Sequence, residues 1–257
     1  MTIVSFPNEK NGRILTNSSN KVHHVKTKHF LLGWAMWLIA ALFYGLDYFQ
    51  HTAPSVLIEP IAHSLGVSYI TIGNIMGIYF PLYALSQIPA GYCLDRFGIR
   101  ITLTFACLIV SLGLLISGSP SLTALTIGRI LIAIGSAAAF LGALKTGSTW
   151  LPKTTFPLAV GLTNTIGVLG GLLGQPFLNH MIEQSTWQHA FHVITLFGFI
   201  LAIIIYTLLR APEKPRGLLE SNSHIAPILK TQTVWLLALY AGIMVGTVVN
   251  AFAELYD

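Results

Sequence analysis

Seven stretches of this 257-residue chain are apolar for long enough to cross, or nearly cross, a bilayer as helices: 30–57, 70–94, 101–118, 122–144, 156–181, 190–209 and 233–253. About 20 apolar residues in a helix cover the hydrocarbon core of a membrane. Lipid offers the backbone no hydrogen-bond partners, so a spanning segment must satisfy its own N–H and C=O groups. A closed barrel would do so with short alternating strands, and these runs are too long and continuous for that. Composition agrees: 9% of residues are charged, 54% are hydrophobic and the mean hydropathy is +0.70, against roughly 25% charged in a soluble domain. The expected fold class is an all-α membrane protein, a six-helix transmembrane bundle plus a seventh helix embedded in the lipid bilayer.

Basic residues set the orientation. The first 29 residues hold Lys10, Arg13, Lys21, Lys26 and Lys28. Arg96 and Arg100 lie between the second and third runs, Lys145 and Lys153 between the fourth and fifth, and Arg210, Lys214, Arg216 and Lys230 around the last connection. The intervening segments 58–69, 118–121 and 182–189 carry no Lys or Arg. Thirteen of fourteen basic residues thus fall on one side. By the positive-inside rule that side is the cytoplasm, which puts the N-terminus inside and makes the net charge of +5 a topology signal. No nucleic-acid partner is expected.

The domain plan follows. Residues 1–29 read as a flexible basic cytoplasmic tail, since they lack a periodic apolar pattern. They are no secretory signal, because the next apolar run is too long and ends without a cleavage site. Residues 30–210 form the six-helix bundle. Residues 211–232, with Pro212, Pro215 and Pro227 among polar residues, form a cytoplasmic linker. Residues 233–257 form the seventh helix, the opening of a truncated second half.

The turn Gly91-Tyr-Cys-Leu-Asp95-Arg96-Phe-Gly98-Ile-Arg100, on the basic side between spans two and three, resembles the signature loop of the major facilitator superfamily of secondary transporters. Arg129 followed by Gly135 is similar to the family's Arg-x-x-Gln-Gly-x-Gly segment, with Ile132 and Ala133 in place of the Gln and first Gly. Trp187-Gln-His-Ala-Phe191 resembles its Gly-Trp-Arg-x-x-Phe without the Arg. The resemblance covers 30–257 and implies the N-terminal half of a twelve-helix fold plus the first helix of the C-terminal half. It also implies a gating role for the loop, whose Asp faces a second-half helix in the outward-facing state. With that helix absent here, Asp95 is expected to make only local contacts, capping span three or meeting Arg96 or Arg100. Gly98 permits the tight reversal.

Tyr44, Asp47, Tyr48 and His51 recur at i, i+3, i+4 and i+7, so they share one face of the first span. An Asp at membrane depth costs about 2.5–3.5 kcal/mol and calls for a partner or an aqueous cavity. Arg129 is the only basic residue at depth, and in the resembled family spans one and four line the central cavity. Asp47 and Arg129 are therefore expected to face the same cavity, Asp47 as a proton-coupling carboxyl and Arg129 as the partner of an anionic substrate. The alternatives are a static ion pair, or an Asp47 high enough to reach water. Tyr79 in span two and Asn164 in span five are further candidates for substrate contact.

Other features have plainer readings. Gly167-x-x-x-Gly171 and Gly170-x-x-x-Gly174 suit close helix packing, and their order differs from the antiporter pattern of the family. Pro81 and Pro89 should bend span two. His180, Glu183, His189 and His192 lack metal-site spacing, so neither a metal nor a cofactor is expected. There is no Gly-x-Ser-x-Gly elbow or P-loop, and no pair of intramembrane Asp residues; the chain does not read as an enzyme.

The expected function is secondary active transport of a small solute by alternating access, proton-coupled and of symporter type, in a cell (inner) membrane. Arg129 hints at an organic anion as the substrate, with sugars, amino acids and drugs left open. Two alternatives stand beside it: a truncated transporter fragment without transport of its own, and a non-transporting scaffold or sensor. The missing second half, or self-association, would complete the fold.

Overall fold

A computed structural model describes residues 10–210 together with 231, 232 and 236, with side chains from residue 30 onward. The chain divides into two units, Met1–Pro212 and Glu213–Asp257. The expected linker and seventh helix lie outside the described residues, apart from 231, 232 and 236.

The described residues form eight α-helices and no strand: α1 Lys10–Thr52, α2 Pro54–Leu65, α3 Tyr69–Gly77, α4 Tyr79–Arg96, α5 Ile99–Ser117, α6 Leu122–Trp150, α7 Phe156–Gln184 and α8 Trp187–Leu208. Five are long and apolar enough to cross a membrane: Phe30–Thr52 within α1, and α5, α6, α7 and α8. The fold class is as expected from the apolar runs, with differences in the first two. The first span ends at Thr52 and restarts as α2 at Pro54, because proline suits a first helical turn and cannot donate within a continuing one. The second expected span is broken at Ile78 into α3 and α4. The break falls just after Gly77, whose carbonyl the ring of Pro81 would obstruct four residues on. The expected tail also differs, since the backbone is helical from Lys10 as a continuation of α1.

Helix α6 is the hub, packing against α1, α4, α5 and α7. Lipid supplies no hydrophobic drive between helices, so close approach has to come from small residues. A Cβ on Gly135 would sit 2.6 Å from the Ala106 carbonyl oxygen of α5, and one on Gly170 of α7 would collide with the Gly45 carbonyl of α1. The glycine pairs of the fifth span therefore act in packing. Trp37 Nε1–H donates 3.0 Å to Thr163 Oγ1 across the same α1–α7 contact.

The signature turn is held differently from the expectation. Gly98 has φ 82°, the positive region open to glycine, and it precedes α5 without a side-chain cap. Asp95 makes an ion pair of 2.5 Å with Lys145, 50 residues away on α6. This corrects the expectation of local contacts only: the end of α6 reaches the same membrane face as the turn. Arg96 Nη1–H donates to the Tyr92 hydroxyl at 2.7 Å. Arg100 Nε–H donates to the Tyr206 carbonyl at 2.7 Å, with its guanidinium 4.7 Å from that ring, so it caps a carbonyl at the end of α8.

Candidate functional site

Five charged or polar side chains, Asp47 and His51 of α1, Tyr79 of α4 and Arg129 and Ser136 of α6, meet in one largely buried cluster. Helical spacing turns Asp47 and His51 to the same side of α1. Asp47 is fully buried. Its Oδ1 accepts a hydrogen bond of 2.7 Å from the Tyr79 hydroxyl, and Oδ2 is buried without a partner among the described residues. Ser136, fully buried on α6, faces Asp47 and Tyr79 without closing a hydrogen bond to either.

His51 Nδ1 lies 3.7 Å from Asp47 Oδ1, 3.2 Å from the Asp47 carbonyl oxygen and 3.4 Å from the Tyr79 hydroxyl. Aromatic rings surround the imidazole: Tyr79 at 4.8 Å, Tyr83 at 5.2 Å, Tyr48 at 5.6 Å and Phe80 at 5.9 Å between centroids. Tyr48 in turn meets Tyr44 at 6.0 Å.

Arg129 is 2% exposed. Its Nε–H donates to Met76 Sδ at 2.8 Å and its Nη1–H to the Gln50 carbonyl oxygen at 3.4 Å, while Nη2 is buried without a partner among the described residues. The guanidinium lies 5.8 Å from the Tyr79 ring centre, within cation–π range. Asp47 and Arg129 therefore belong to one cluster, but Tyr79 stands between them and they form no ion pair. A thioether and a carbonyl leave the guanidinium charge uncompensated by any carboxylate within 4 Å among the described residues.

The structure thus brings together Tyr44, Asp47, Tyr48, His51, Tyr79 and Arg129. Asn164 lies elsewhere, exposed on α7 with its Nδ2 bonded 3.4 Å to the Val160 carbonyl of its own helix. Met76, Tyr83, Gln50 and Ser136 are additions that the sequence did not single out. Met76 and Gln50 look like ordinary core positions, and only the approach of α6 gives them a role. The Gln50 amide Nε2 on α1 is buried and unpartnered among the described residues, a second donor without a partner beside Arg129 of α6. A cleft of about 380 Å³ between α4, α5 and α6, lined by residues such as Pro89, Cys93, Phe105 and Ile109, touches none of the cluster. Among the described residues no group of His, Cys, Asp or Glu is arranged to hold a metal.

The family profile of the Major Facilitator Superfamily matches residues 30–256. The chain is 27% identical over 171 residues to a protein named probable sulfoacetate transporter from Cupriavidus necator, covering 66% of this chain and 39% of that one. It is 27% identical over 192 residues to the hexuronate transporter of Bacillus subtilis, covering 73% and 43%. Its fold is similar to that of a bacterial homologue of the human lysosomal transporter Spinster in the inward-facing, unoccupied conformation. There the TM-score is 0.63 at 22% identity, covering 71% of this chain and 44% of the other. The chain spans about half the length of the curated relatives it matches. With the profile matched over nearly its whole length, the chain belongs to the Major Facilitator Superfamily of multi-pass membrane transporters.

Proposed function

We propose that this chain supplies the anion-binding, proton-handling half of a secondary transporter for a small organic anion, working by alternating access as a symporter. Arg129 is the observation that carries the reading. A guanidinium buried to 2% exposure, with one Nη unpartnered and no carboxylate paired with it among the described residues, is an expensive arrangement at membrane depth. A carboxylate or sulfonate ligand compensates it through charge-assisted, bidentate hydrogen bonds. The names of two relatives, a sulfoacetate and a hexuronate transporter, support the same ligand class.

Asp47 is the proton-coupling carboxyl in this reading, in the same cluster as the Arg129 cation but not paired with it. Tyr79 touches both charges, and Tyr44, Tyr48 and His51 complete the substrate and coupling face. Asn164 is a substrate contact supplied from the exposed face of α7. Gly91, Asp95, Arg96, Gly98 and Arg100 form the gating loop on the cytoplasmic side, with the N-terminus inside a bacterial inner membrane.

The test is uptake of labelled glucuronate and sulfoacetate by proteoliposomes under an inward proton gradient. Saturable uptake that Arg129→Gln abolishes supports the reading. Uptake of neutral glucose at an equal rate, or uptake indifferent to Arg129→Gln, contradicts it.

A further inference from the structure

Asp47 is fully buried, so a proton that reaches it has to come through a neighbouring group. Tyr79 and Ser136 touch or face the carboxylate, and both are buried at 1% and 0% exposure. Of the described groups that hydrogen-bond or ion-pair with its carboxylate, His51 is the one with a partly exposed side chain, at 23%. His51 also sits about one turn beyond Asp47 along α1, roughly 32 Å of helix from Phe30 at a rise of 1.5 Å per residue. That distance is about the thickness of the hydrocarbon core, so the imidazole belongs to the end of the Phe30–Thr52 span away from the basic tail.

The two ring nitrogens face different surroundings. Nδ1 is turned to Asp47 and the Tyr79 hydroxyl, whereas Nε2 takes part in none of the hydrogen bonds among the described residues. The groups facing the imidazole are Asp47 and Tyr48 on α1 and Tyr79, Phe80 and Tyr83 on α4, with the Arg129 charge of α6 behind the Tyr79 ring. These rings hold the imidazole in one orientation and keep water from the carboxylate.

We propose that His51 is the proton port of the cluster, passing protons from the aqueous face opposite the basic loops to Asp47 through the Tyr79 hydroxyl. The proposal rests on the reading of Asp47 as the proton-coupling carboxyl. Water delivers H⁺ to Nε2, giving an imidazolium protonated on both nitrogens. The Nδ1 proton passes to the Tyr79 oxygen over a 3.4 Å contact as the Tyr79 hydroxyl proton passes to Asp47 Oδ1 over 2.7 Å. Asp47 ends as a neutral carboxylic acid, Tyr79 ends again as a phenol, and His51 ends as a neutral imidazole carrying its proton on Nε2. One proton has moved inward. The route through Tyr79 is shorter at each step than the direct 3.7 Å approach of Nδ1 to the carboxylate. His51 and Tyr79 are positioning and relay groups here; the coupling charge stays on Asp47.

The full chain in liposomes, subjected to a pH jump and followed by time-resolved infrared difference spectroscopy, tests this. The carboxylic-acid C=O band of Asp47 is assigned by its loss in Asp47→Asn. His51→Gln is expected to slow the rise of that band at least about tenfold, in keeping with the size of positioned proton-transfer effects, with its final amplitude kept. Added imidazole is expected to restore the rate in His51→Ala, which a merely structural role would not allow. Tyr79→Phe is expected to slow the rise without rescue by imidazole. A band that rises at the wild-type rate in His51→Gln overturns the port while leaving the coupling reading intact, as does failure of imidazole to rescue His51→Ala. A wild-type spectrum indistinguishable from that of Asp47→Asn at every pH overturns both.

Discussion

The Tyr79 hydroxyl of α4 donates a 2.7 Å hydrogen bond to the buried Asp47 carboxylate of α1, 32 residues earlier in the chain. The same ring lies 5.8 Å from the Arg129 guanidinium. One side chain therefore senses both intramembrane charges without letting them neutralise each other. Removing its hydroxyl leaves Asp47 Oδ1 without its closest donor. Tyr79→Phe is expected to lower stability by about 1–3 kcal/mol, the cost of stranding a buried acceptor, measured by denaturant unfolding in detergent. Tyr79→Leu should cost more, because the ring packing against His51, Phe80 and Tyr83 goes with it.

The coupling role proposed for Asp47 has its own signature. Asp47→Asn keeps the size and polarity of the side chain but cannot exchange a proton. Initial rates of anion uptake by proteoliposomes should lose their dependence on external pH. An unchanged pH profile in Asp47→Asn removes the coupling role.

Packing of α7 on α1 is set by backbone contact. A Cβ at Gly170 would collide with the Gly45 carbonyl, whereas one at Gly161, on the same helix, meets nothing within 4 Å. Gly170→Ala is expected to destabilise the bundle by about 1–3 kcal/mol, as overpacking does. Gly161→Ala should be neutral or stabilising by up to about 1 kcal/mol through helix propensity. Thermal unfolding of the two variants side by side in one detergent checks the contrast.

The Asp95–Lys145 pair sits at the surface, with side chains 69% and 32% exposed. Pairs of this kind contribute about 0–1 kcal/mol. Lys145→Ala should therefore leave folding almost unchanged, and a double-mutant cycle with Asp95→Ala should give a coupling energy below about 1 kcal/mol that shrinks with added salt.

Much of this arrangement was legible in the sequence, for identifiable reasons. Asp47 and Arg129 stand out because a charge within an apolar run is costly, and His51 follows from its spacing to Asp47. Gly98 announces its positive φ through the short charged turn around it. The partner of Asp95 was missed because Lys145 lies 50 residues away; only the antiparallel return of α6 brings it to the same membrane face. That Tyr79 stands between Asp47 and Arg129 was not legible, since periodicity places each residue on a helical face but cannot show what lies between the faces. Gln50 and Met76 carry no signal in the sequence, because their role is to offer Arg129 a carbonyl and a sulfur once α6 has packed. The break of span two was readable from Pro81, whose effect falls at the preceding Gly77–Ile78 step.

Whether the orphaned Arg129 guanidinium receives an anion is most directly measured by calorimetric titration of the purified chain with glucuronate, sulfoacetate and neutral glucose. The account predicts that the two anions bind and glucose does not. It also predicts that Arg129→Gln weakens anion binding by about 30-fold or more, the equivalent of at least about 2 kcal/mol for a lost buried charge pair, and that Arg129→Lys does not restore it. Equal affinity for glucose and glucuronate, or anion affinity untouched by Arg129→Gln, would contradict it.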